Sequence, residues 1–406
     1  MSRLWKAFFL LFLVFTSLLA GKSLKGYAQT EVAVESQPPK SNFGENILFQ
    51  ATLQSNVPVE KALLLVQNGP EAEVQIIPAA LDQEGNLKAN YNLKENPLRA
   101  FSQVDYWFQI SLQNGETYTS PKTAFLYTDN RFDWDTIESA PLRVHWHTGD
   151  ITFAQEILNI AQTGMQRAQQ ILPQVLVPPA VDIYVYNNGE ELRDGLLASS
   201  QNWIAGHADP DLNVVLVSLP PGPEQRLEME RQIPHELMHV MMYYTDRNAY
   251  ANLPAWFNEG LASMVELYPN PDYPVLLQNA YQTNSLMPIE TLCKVFPTDS
   301  HKALLAYAES ASFMNFLFEK NGHIGFEGLM ALYAQGQSCE QAIETGFNAS
   351  LSSLENQWQR QNFTRNSMQT AVEDLLPWLL VMIVVLAGPI ILAIYMFRHR
   401  TASVEL

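Results

Sequence analysis

The sequence predicts a multi-domain chain: an all-β sandwich first, an α+β domain second, and one transmembrane helix near the C-terminal end. Three observations carry this reading. Apolar residues alternate with polar ones between Glu31 and about Thr128, the two-residue period of half-buried strands. From Phe153 onward the apolar spacing changes to every three or four residues, the period of an amphipathic helix. Leu375 to Phe397 then runs for 23 residues without a charge, enough at roughly 1.5 Å per residue to cross a bilayer.

The 406 residues and an apolar fraction of 47% leave room for two or three buried cores. A formal net charge of −18 with no basic stripe argues against a nucleic-acid partner. Residues 1–28 read as an export signal, with Arg3 and Lys6 ahead of the uncharged stretch Ala7 to Gly21 and small residues at Gly26-Tyr27-Ala28. An uncleaved signal anchor is the alternative. At the other end Arg398-His399-Arg400 directly follows the apolar run. The positive-inside tendency then places the tail 398–406 in the cytoplasm and the bulk of the chain outside a cell membrane that it crosses once. In such an oxidising compartment Cys293 and Cys339 are expected to form a single disulfide rather than two buried thiols, provided their Cα atoms come within bridging distance.

Residues 29–130 form the first domain. Ile47, Phe49, Ala51 and Leu53 alternate with polar neighbours, as do Val104, Tyr106, Phe108, Ile110 and Leu112, and Asn114-Gly115 signals a tight hairpin. About seven strands of this kind suggest an immunoglobulin-like or fibronectin-like sandwich. It carries no chemical constellation and is expected to act as a support.

Asp129 to Pro141 is a polar joint, and a second domain over 142–365 follows it. Leu142 to His147 reads as a strand. Phe153, Ile157, Ile160, Gly164, Ala168 and Ile171 trace one face of a helix that stops before Pro173. Val181 to Tyr186 and Leu212 to Leu219 read as further strands, and the segment Asn213 to Ser218 is expected to be the sheet edge along which an extended peptide lies. His145 and His147 share a strand face and are expected to have no cysteine or carboxylate nearby, so they read as ordinary surface or core histidines.

The chemistry concentrates between Arg231 and Glu266. His235 and His239 stand at i and i+4 of a helix, so their imidazoles converge on one ion. Ile233, Leu237, Val240 and Met241 bury one side of that helix, and Pro234 is expected in its first turn. Glu236 lies one residue off the histidine stripe, where a general base for a metal-bound water belongs. A third ligand is still needed, and Glu259, at the start of a second helix read from Pro254 to Ala262, is the candidate.

The wording HELMH followed by WFNEGLASMVE resembles the gluzincin metallopeptidases, close to their aminopeptidase branch and to the peptidase MA-like domains. That resemblance implies a zincin-type catalytic domain over 142–365, one Zn2+ per chain held by His235, His239 and Glu259, Glu236 as base, and a peptide or protein substrate. It also implies an oxyanion donor from a later helix. Tyr307 is the choice, on a helix read from Lys302 to Glu319, with His301 as rival and Tyr243 or Tyr244 behind. Gly206-His207-Ala208-Asp209 occupies the place of the amine-gripping Gly-x-Met-Glu-Asn motif but lacks its Glu, so endopeptidase activity is expected over aminopeptidase activity. The competing function is a surface binding or adhesion protein whose peptidase-like domain is idle.

Overall fold

The computed structural model describes residues 31–196, 206–363, 375–383, 385, 387 and 388. The export signal read at 1–28 lies outside the described residues. The chain divides into two compact units, Met1–Arg131 and Phe132–Leu406.

In the first unit, β1 (Val32–Ser36), β2 (Lys40–Asn42), β3 (Asn46–Ser55), β4 (Val59–Gln67), β5 (Gln75–Pro78) and β6 (Ala80–Leu81) are followed by β7 (Asn86–Asn92), β8 (Ser102–Leu112), β9 (Thr117–Thr119) and β10 (Thr123–Tyr127). One sheet has the order β1-β3-β7-β6 with β2 on β3, and the other β10-β8-β4-β5 with β9 on β8. The ten strands exceed the seven counted from sequence because the short ones, such as β6 and β9, carry too few residues to show a period. Ile47, Phe49, Ala51 and Leu53 are buried on one sheet, and Val104, Tyr106, Phe108, Ile110 and Leu112 on the other. The two faces meet where the Phe49 ring lies 4.9 Å from Tyr106 and 5.7 Å from Phe125.

The second unit is built on one sheet of β11 (Asp135–Ser139), β12 (Leu142–Trp146), β13 (Val181–Tyr186), β14 (Gly206–Asp209) and β15 (Val214–Ser218). Its order is β11-β12-β13-β15-β14, with β12, β13 and β15 parallel and the outer two strands antiparallel. Val214–Ser218 is buried at every position, as a strand covered on both faces must be. The expected edge strand is therefore interior, and among the described residues β14 is the edge on that side.

The helices are α1 (Ile151–Ile171), α2 (Gly189–Gly195), α3 (Gln225–Thr245), α4 (Arg247–Asn252), α5 (Ala255–Val265), α6 (Tyr273–Gln282), α7 (Ser300–Ala334, broken at Gly322) and α8 (Cys339–Phe347). Helix α1 starts where the Asp150 carboxylate accepts the N–H groups of Thr152 and Phe153. A disulfide joins Cys293 to Cys339, with Cα atoms 6.0 Å apart.

Two expectations are corrected here. Pro234 is not in the first turn of its helix but well inside α3, because the helix begins at Gln225. A proline there cannot donate to the carbonyl four residues back, and the freed Glu230 carbonyl instead accepts the N–H of Leu267 at 2.8 Å. The bond ties the end of α5 to α3. Gly164 of α1 meets the same proline so closely that a Cβ would stand 2.8 Å from its ring.

The C-terminal transmembrane helix is also corrected, and the single-pass placement with a cytoplasmic tail falls with it. Among the described residues no helix is long and apolar enough to cross a membrane. Residues 384, 386 and 389–406, including the tail read at 398–406, lie outside the described residues. Freedom from charge lowers the cost of entering lipid, whereas spanning also requires a helix of sufficient length.

Candidate metal centre

Helix α3 presents His235 and His239 one turn apart, with ring centroids 5.1 Å from each other. Helix α5 packs against it through the Leu267 N–H to Glu230 carbonyl bond, and Gly260 lets α5 approach α7 as well: a Cβ there would fall 2.7 Å from the Ser310 carbonyl oxygen. Glu259 is thereby brought over the two imidazoles, its Oε2 lying 3.2 Å from Nε2 of His235 and 3.6 Å from Nε2 of His239. Ligand atoms from all three residues lie within 4.8 Å of one another. Donors held about 2.0–2.1 Å from a tetrahedral ion stand roughly 3.3 Å apart, so this two-nitrogen, one-oxygen set fits a divalent cation such as zinc.

The opposite ring nitrogens are held as well. Nδ1 of His235 lies 2.9 Å from Oε1 of Glu266, and Nδ1 of His239 lies 3.1 Å from Oδ1 of Asn258. With Nδ1–H donating to those oxygens, each Nε2 keeps its lone pair for an ion, and the carboxylate of Glu266 makes His235 a better donor. Burial works to lower the His235 pKa, but its bonds to Glu259 and Glu266 outweigh it and hold the imidazole well above its ordinary value. Burial likewise works to raise the Glu259 pKa, and the two imidazoles beside it pull it well below the usual carboxylate range. Protons and a metal ion compete for the same lone pairs here.

These groups line a cavity of about 400 Å³. Glu236 lines it beside the histidines, 9% exposed, with its carboxyl pKa raised by burial against the pull of the imidazoles. Gly206 of β14 makes room for it, since a Cβ there would stand 2.7 Å from Oε1 of Glu236. Tyr307 lines the same cavity, its ring 6.3 Å from that of His235 and 4.9 Å from Phe296. Burial pushes its hydroxyl well above the ordinary value, so it stays a proton-bearing donor. His301, Tyr243 and Tyr244 are not among the lining residues.

Sequence reasoning assigned no role to Glu266, Asn258 or Tyr250, and read Gly206 only as part of the segment in the amine-gripping motif's place. Glu266 follows Glu259 by seven residues, two helical turns, and that spacing was the available signal. Tyr250 of α4 lines the cavity, its ring 6.5 Å from that of His239 and its hydroxyl pushed up to about 12 by burial.

The profile of the peptidase MA superfamily matches residues 160–364, half of the chain. The chain belongs to the peptidase MA superfamily. It therefore carries a metallopeptidase-like domain, and the His235, His239 and Glu259 cluster falls inside the matched segment. A comparison with curated proteins finds no match to this peptidase MA chain. Among solved structures it is similar to OgpA from Akkermansia muciniphila, at 21% identity over 25% of this chain and 28% of that one, with a TM-score of 0.20. It is also similar to Legionella pneumophila aminopeptidase A in complex with aspartic acid, at 12% identity over 82% of this chain and 50% of that one, with a TM-score of 0.38. The peptidase MA chain thus spans about a quarter of the first and half of the second.

If Glu266 fixes the donor nitrogen of His235, Glu266→Gln will weaken metal retention by roughly 10- to 100-fold, the usual cost of losing such a partner. Zinc retained against a graded series of chelator concentrations measures this. Equal retention by parent and variant would remove Glu266 from that role.

Proposed function

We propose that this chain is a zinc-dependent metallopeptidase that hydrolyses peptide bonds, acting as an endopeptidase in preference to removing N-terminal residues. The observation that carries the reading is the convergence of His235 Nε2, His239 Nε2 and Glu259 Oε2 with the Glu236 carboxylate beside them in one cavity. A bound Zn2+ supplies Lewis acidity, which acidifies water and polarises a carbonyl.

The chain's own residues do the rest. Glu236, desolvated and raised in pKa by burial, accepts the proton of the attacking water and returns it to the leaving amine. Tyr307, which lines the cavity with its ring 6.3 Å from that of His235, donates its O–H to the oxygen that gathers charge as the carbonyl is attacked. Strand β14, whose His207 and Ala208 line the cavity, offers its edge to the substrate backbone. Asp209, nearest to the missing amine-gripping Glu, lies 3.4 Å from His207, which supports an internal cleavage site over N-terminal trimming.

The test is zinc content and peptide hydrolysis by the purified full chain, before and after chelation. About one zinc per chain is expected, with hydrolysis lost on stripping and regained with one equivalent of zinc. Hydrolysis that survives complete stripping would overturn the reading, and zinc binding without any hydrolysis would favour the idle, binding-protein alternative.

A further inference from the structure

Resting on the proposed peptidase reading, a second set of residues in the same cavity bears on which substrates it takes. Arg231 is the one Arg or Lys among the described residues lining the cavity, which otherwise carries the carboxylates of Glu228, Glu236, Glu259 and Glu266. Glu259 and Glu266 are tied to the imidazoles. Glu228 is divided: its Oε1 accepts Arg231 Nη1 at 3.0 Å and its Oε2 accepts Gln232 Nε2 at 3.0 Å.

That division leaves two buried polar atoms without a hydrogen-bond partner, Arg231 Nε and Gln232 Oε1, and Gln232 as a whole is only 8% exposed. Stranding such atoms is costly, and a guanidinium cannot relieve it by losing its proton. Glu228 uses one of its five N–H donors, and the side chain is 21% exposed, so donors remain for a second carboxylate. Tyr268 lies 5.8 Å from the guanidinium, flanking it.

Arg231 precedes His235 by four residues on α3, one turn or roughly 5.4 Å along the axis, and an extended peptide advances about 3.3–3.6 Å per residue. We propose that Arg231, whose side chain is partly exposed, forms a subsite for a substrate carboxylate one or two residues from the scissile bond. The guanidinium takes the carboxylate, with the buried amide of Gln232 packed behind it. The carboxylate comes either from the peptide's C-terminus or from an Asp or Glu side chain.

Two matched pairs of randomised hexapeptide pools separate the sources when incubated with the zinc-loaded full chain. In one pair the pools differ only in ending as free acid or amide; in the other, both amidated, they differ only in carrying Glu or Gln at a fixed position. The charged member of at least one pair is expected to be cleaved roughly ten- to a hundredfold faster. Arg231→Met should bring that ratio close to one, Arg231→Lys should retain much of it, and Arg231→Glu should invert it. No preference in either pair, or a ratio unchanged in Arg231→Met, would overturn the subsite while leaving the peptidase reading intact. If no pool is cleaved, the same pools are titrated calorimetrically: binding that favours the charged member and is lost in Arg231→Met keeps the subsite and sinks the peptidase reading, and no such preference sinks both.

Discussion

Glu236→Ala is expected to keep its zinc and to lose peptide hydrolysis, with kcat/KM falling by roughly 10^2- to 10^4-fold, the span that a positioned general base supplies. The two halves of this result have separate physical origins. On the proposed reading zinc retention rests on His235, His239 and Glu259, whose donor atoms converge without help from Glu236, and on Glu266 and Asn258 behind the imidazoles. Hydrolysis depends on a carboxylate that can take a proton and give it back. Burial raises the Glu236 pKa above the ordinary carboxylate value, against the pull of the neighbouring imidazoles. Zinc measured by atomic absorption beside rates on the best-cleaved peptide pool reads both halves. Parental turnover in the variant would remove Glu236 from the chemistry, and loss of zinc would mean that its carboxylate also holds the ligand set together.

The separation between what the sequence conveyed and what it concealed follows the range of each interaction. The relation of His235 to His239 is local, because a helix puts residues four apart on one face wherever the helix lies. The strand alternation at Ile47 to Leu53 is local in the same sense, and those residues are buried in β3. The roles of Glu266 and Asn258 depend on how α5 docks on α3. That docking rests on the Glu230 carbonyl freed by Pro234 and taken by Leu267, a partnership between residues 37 apart in the sequence. The room that Gly206 leaves could not be read, although its segment was singled out, since its reason is the Glu236 side chain arriving from another element. Reading Pro234 as a helix start treated one residue type as fixing where a helix begins, whereas α3 starts at Gln225.

Glu309→Gln is expected to flatten the pH dependence of stability, with the largest gain over the parent near pH 8. Glu309 sits on α7 at 0% exposure, Oε1 accepting the Met287 N–H at 2.9 Å while Oε2 is buried without a hydrogen-bond partner. Burial pushes its pKa from 4.5 up to about 8, with the Met287 N–H opposing and Glu355 adding to the rise. Between those two values the unfolded chain gives up this proton and the folded chain keeps it. The folded state then binds more protons, so stability is fully present below about pH 4.5 and falls as pH rises toward 8. A shift of that size corresponds to at most about 5 kcal/mol. Glutamine retains the oxygen for Met287 and places a neutral amide where the acid stood, so the variant should unfold like the parent at pH 5 and at higher denaturant than the parent at pH 8. Glu355, whose pKa burial also raises and whose charge reaches Glu309, is present in both proteins, so the difference between their urea midpoints across pH reports Glu309 together with its coupling to Glu355. Parallel midpoint curves would mean that the Glu309 carboxyl ionises in the folded chain as readily as in the unfolded one, and that an acceptable partner reaches Oε2.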